Sequence, residues 1–96
     1  MNASQYYALR ATTSGNYLIA HPSGNRSGGY LLLFSENFDA LSYLNSHSPE
    51  LKSHFTVELV PQTQLSSILQ RWQFQGIGLV QDPLIPTIQF LAAESA

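Results

Sequence analysis

The residues of this chain best able to do chemistry gather around one glycine-rich stretch. His21-Pro22-Ser23-Gly24-Asn25-Arg26-Ser27-Gly28-Gly29 combines glycines, which let backbone N–H groups turn toward an anion, with Arg26, which could clamp it. Arg10 is a further cation, so Arg10, His21, Arg26 and Gly28 are the candidate ligand-binding set. The spacing argues against a phosphate loop. That loop needs GxxxxGK followed by Ser or Thr between a strand and a helix, whereas this stretch joins strand to strand and has no lysine. A plain connection is the stronger reading, and a small-molecule or anion-binding protein or enzyme using residues 22–29 is the alternative.

The other motifs are weaker. Gly76-Ile77-Gly78 lacks the third glycine of a dinucleotide loop, and a strand follows where a helix should start. His21, His47 and His54 have no HExxH or paired-ligand spacing, so capping or solvated roles outweigh metal binding. No GxSxG is present. Glu36 and Asp39 suit the positive end of a helix, and Glu58 the solvated face of a strand, better than acid–base work. With no cysteine, disulfides and thiol chemistry are excluded. The expectation is a non-catalytic chain with no catalytic residue, cofactor or metal.

Composition narrows the partners. A chain of 96 residues builds one domain around a single core, here residues 1–96. The net charge of −2 is too small for the basic footprint of nucleic-acid binding, and no apolar run approaches the roughly 20 residues of a membrane span. MNASQYY lacks the basic start and apolar core of a secretory signal, so the expected compartment is the cytoplasm. Only 10% of residues are charged, which guards the surface weakly against self-association.

The elements that must position these residues are organised around Gly28 to Asn45. Tyr30 to Phe34 is an unbroken apolar run of strand length, Ser35 is placed to cap a helix, and Phe38, Ala40, Leu41 and Leu44 share one side of that helix. Upstream, Tyr6 to Thr12 and Tyr17 to His21 read as a hairpin through Ser14-Gly15-Asn16. Downstream, Phe55 to Leu59 alternates as a strand that Pro61 ends. Leu65, Ile68, Leu69 and Trp72 make a helical arc that Gly76 closes. Ile77 to Val80 and Thr87 to Leu91 are strands across an Asp82-Pro83 turn. The predicted class is a small α+β or α/β fold, a mixed sheet of about six strands with two helices in the order β-β-β-α-β-α-β-β.

This order, with Leu33-Phe34-Ser35, Ala40 and the closing GIGLVQDP stretch, resembles the N-terminal domain of SseB-type proteins and related small bacterial domains of unknown function. The likeness covers roughly Tyr6 to Leu91, and a Ser stands at Ser35 where that group usually has Thr after the aromatic. None of the shared positions is catalytic. The resemblance implies a binding or regulatory role.

The expected function is therefore a cytosolic protein-interaction or regulatory domain, a homodimer or a binder of another protein. Tyr6, Tyr7, Tyr17, Tyr30 and Leu32 are the candidate interface, because amphipathic rings are common at contact surfaces. Tyr30, Leu32 and Phe34 point opposite to Leu31 and Leu33, and the helices are expected together on one face. One apolar set would then need covering by a second copy. The N-terminal segment, or helices on opposite faces, would instead hide that set within one chain.

Overall fold

Tyr30–Phe34 forms strand β3, with Leu31 to Phe34 buried as a continuous apolar run requires. The computed structural model describes residues 5–21, 29–47, 49–82, 84 and 87–92. On one side β3 meets β1 (Gln5–Ala11) antiparallel, and on the other β5 (Gly76–Asp82) in parallel. β4 (Phe55–Pro61) and β6 (Thr87–Ala92) lie outermost, giving the order β4-β1-β3-β5-β6, and the two-residue β2 (Ile19–Ala20) pairs with β3. Helix α1 (Asn37–His47) lies between β3 and β4 in sequence, and α2 (Leu65–Trp72) between β4 and β5. Short 3-10 segments, Pro49–His54 and Gln62–Gln64, lead into and out of β4. The class, the six-stranded mixed sheet and the element order are those predicted.

Alternation along β3 builds two cores. Leu32 and Phe34 join Leu9, Ala40, Leu44 and Val80 beneath α1. Leu31 and Leu33 join Ala8, Tyr17 and Val60, against which Leu65, Ile68, Leu69 and Trp72 of α2 pack. The helices thus cover opposite faces, which corrects the expectation of a shared face. The reason is the direction of travel: the β3-to-β4 crossover runs outward past β1, and the β4-to-β5 crossover runs back past β1 and β3. Two crossovers of one hand that travel in opposite directions set their helices on opposite sides. Both apolar sets of β3 are closed within one chain, so the apolar-face ground for a second copy falls.

The predicted first hairpin forms only in part. Ala11 N–H donates to Asn16 O (2.8 Å), Arg10 pairs with Tyr17, and Leu18 N–H donates to Leu9 O (2.8 Å). The chain then leaves β1, Ile19 and Ala20 pair with Leu31 and Tyr30, and Leu32 N–H donates to Leu18 O (3.3 Å). Both legs are antiparallel to strands that are themselves antiparallel, so the chain reverses at Leu18, which sits in the fork between β1 and β3.

Helix ends differ from the sequence reading by small steps. Ala40 N–H donates to Glu36 O (3.4 Å), so Glu36 holds the N-cap position that was expected at Ser35. Gln73, not Gly76, closes α2. It takes the left-handed conformation (φ 59°), and Phe74 N–H donates to Leu69 O (2.9 Å). Gly76 instead begins β5.

Candidate functional site

Arg10 and Glu58 stand on neighbouring strands, β1 and β4, and alternation turns both to the α2 face alongside Ala8 and Val60. Arg10 Nη1 donates to Glu58 Oε1 (2.9 Å), and Arg10 Nε donates to Gly15 O (2.7 Å). The guanidinium carbon lies 4.8 Å from the Tyr17 ring centre and 5.9 Å from that of Trp72. Tyr17 OH donates to the second carboxylate oxygen of Glu58. Tyr17 meets the Trp72 ring edge-on at 5.3 Å, and Trp72 stacks on Phe74 at 5.9 Å. Two strands, the first turn and the end of α2 are thereby tied at one point.

The polar groups of this cluster are engaged with one another, while the Arg10 and Glu58 side chains stay 38% and 33% exposed. Both Glu58 oxygens accept hydrogen bonds, so this partly solvated strand residue also has a structural role that its place on the strand did not reveal. Burial, then the hydrogen bond to Glu58, pushes the Tyr17 hydroxyl up to about 12, so near neutral pH it stays a proton donor and does not serve as a base. Its role is to hold β4, the first turn and α2 together. Sequence reasoning missed it because Arg10 and Glu58 are 48 residues apart, and the only local signal was a single opposite charge within each alternating strand.

Of the other ligand-binding candidates, only His21 lies among the described residues. His21 is exposed, and its ring lies beside Gly29, where an added Cβ would come within 2.9 Å of His21 Cε1. Gly29 has φ 78°, and its carbonyl accepts from Gln75 N–H (2.7 Å) at the entry to β5, so glycine is required there for both space and conformation. Arg26, Gly28 and the rest of residues 22–28 lie outside the described residues, as do Pro83 and residues 93–96. Of the five interface candidates, Leu32 (2% exposed) lies under α1 and Tyr17 under α2, so neither offers a surface. Tyr6 and Tyr7 are half-buried on opposite faces. Among the described residues, no three His, Asp or Glu side chains are grouped to hold a metal, and no helix is long and apolar enough to cross a membrane.

One exposed surface was not anticipated. β6 is the last strand of the sheet and carries no charged residue from Thr87 to Ala92. Phe90 (36% exposed) and Leu91 (44%) flank its two faces. The Phe90 ring meets Tyr30 edge-on at 5.2 Å across β5, and the missing side chain of Gly78 makes room for it. A Cβ on Gly78 would come within 3.1 Å of Phe90 and 3.0 Å of Leu32. The sequence marks this strand as the last along the chain; its place at the edge of the sheet depends on the crossovers and is not legible there.

Comparison with known proteins finds no family model, no curated relative and no solved structure that matches the chain.

Proposed function

We propose that this chain is a non-catalytic protein-interaction domain of the cytosol, which binds by adding a strand of its partner to the outer edge of β6. The observation that carries this reading is the edge itself: six residues without a charge, with Phe90 and Leu91 exposed to either side. An edge strand offers a row of backbone donors and acceptors, and charge or proline within it is what ordinarily discourages pairing. The side chains best suited to chemistry, Arg10 and Glu58, are engaged with each other and with Tyr17. A binding or regulatory role is also what the resemblance to SseB-type domains implies.

The test is a photo-crosslinking residue at Leu91 of the full chain in its host cell, with one at Leu51 as control, since Leu51 is exposed in the segment before β4. Discrete protein adducts at Leu91 that vanish when Gln89→Lys is added are expected. Absence of adducts at Leu91, or the same adducts at Leu51, would refute the reading.

A further inference from the structure

We infer that the partner at β6 is a second copy of this chain, its own β6 lying antiparallel about a two-fold axis through Gln89, so that one sheet runs through both chains. This pairing rests on the contact reading above and names the partner of that surface.

The register comes from the strand. Directly opposed residues of an antiparallel pair point to the same face, and a two-fold axis normal to the sheet keeps each face on its own side. On β6, Ile88 and Phe90 share the α1 face with Val80 and Gly78, and Gln89 and Leu91 the α2 face with Leu79 and Ile77. Centring on Gln89 sets Ile88 against the partner's Phe90 and Thr87 against the partner's Leu91, each pair occurring twice. A β-branched residue against an aromatic is a favourable cross-strand pair, and the two Gln89 amides meet at the axis, where each Nε2 can donate to the second lone pair of the partner's Oε1, the first accepting from Gln81 Nε2 (3.1 Å). Centring on Phe90 instead would set Gln89 against Leu91 twice. No like charges meet at the seam, because Thr87–Ala92 carries none. The Tyr30 ring beside Phe90 extends the apolar strip, which lies to one side of α1 where that helix packs over β1, β3 and β4. A seam of this length falls at the small end of specific interfaces, below about 1,200 Å² in total, so association in the micromolar range is expected.

The absence of native cysteine makes the test direct. In Gln89→Cys the two sulfurs face each other across the axis, with Cα atoms at the roughly 4.4–6.8 Å that a disulfide spans. Mild oxidation of the purified protein at tens of micromolar should convert most of it to a covalent dimer. Leu91→Cys, whose symmetry mate lies roughly 13 Å away along the strand, should cross-link at least about tenfold more slowly. Leu41→Cys, on the exposed side of α1, sets the rate of random collision. In light scattering the native chain should rise from the 10.6 kDa of one chain toward twice that mass over the same range, and Leu91→Lys should abolish the rise without moving the unfolding midpoint. A one-chain mass throughout, or cross-linking of Leu91→Cys or Leu41→Cys as fast as Gln89→Cys, overturns the pairing. Cellular adducts at Leu91 to a different protein would then leave the contact reading standing, and their absence would remove both.

Discussion

The sheet ends in two unlike strands. β4 is bound to β1 along seven matched residues, carries Glu58 at its centre, and ends at Pro61. The segment leading into it adds Glu50 and Lys52. β6 has neither charge nor proline, and it is attached to β5 through apolar contacts, the backbone ladder and the Gln81 to Gln89 amide bond (3.1 Å). The first edge is held by a charged network, and its strand ends at a proline that has no N–H to offer a further strand. The second is held by fit, and its outer side is left suited to another strand. A sheet can therefore be stable at both ends and open to pairing at only one.

The largest way to break this contrast is at the β6 end. Gly78→Leu forces a side chain into space held by Leu32, Ile88 and Phe90, all within 3.0 to 3.2 Å of the position a Cβ would take. Overpacking of that kind should cost about 3 kcal/mol and lower the urea midpoint. An unchanged midpoint would mean that β6 does not lie against β5 as described.

The β4 end should break differently. Glu58→Ala removes the acceptor of a buried tyrosine hydroxyl, and leaving that group unpaired should cost about 2 kcal/mol. Adding Tyr17→Phe removes the orphaned hydroxyl, so the double variant should be more stable than Glu58→Ala alone. Simple additivity of the two losses in chemical denaturation would show that Tyr17 and Glu58 are not coupled.

Alkaline pH sharpens the same end without changing Glu58. Tyr17 ionises near the ordinary value of 10.0 when unfolded but at about 12 when folded. Its contribution is therefore complete below about pH 10 and is lost as the pH rises toward 12, because the unfolded chain releases the proton first. The difference in stability between the native chain and Tyr17→Phe should shift by about 1.4 kcal/mol by pH 11. A constant difference across that range would show that the hydroxyl is not held as described.

What could be read from sequence followed the range over which each feature is encoded. The strand Tyr30 to Phe34 and the arc of Leu65, Ile68, Leu69 and Trp72 were legible because their signals lie within a few neighbouring residues. The reversal at Leu18 was not, because Leu18 bonds to both Leu9 and Leu32, and no local pattern marks a residue shared by two strands. The opposite placement of α1 and α2 depends on the direction in which each crossover travels, a property of the whole sheet. For the candidate site, Arg10 was singled out as a ligand-binding cation. Its partner was invisible because Arg10 and Glu58 are 48 residues apart and are made neighbours only by the strand order of the whole sheet.

The proline that ends β4 has a consequence for how far assembly can go. A building block with two matching ends adds units without limit, as a difunctional monomer does in a step-growth polymer. A block with one receptive end reacts once and stops. With β6 consumed in the pair proposed above, the two termini that remain are β4 strands that each end at Pro61, which has no N–H to donate, and the expected product has a degree of polymerisation of two.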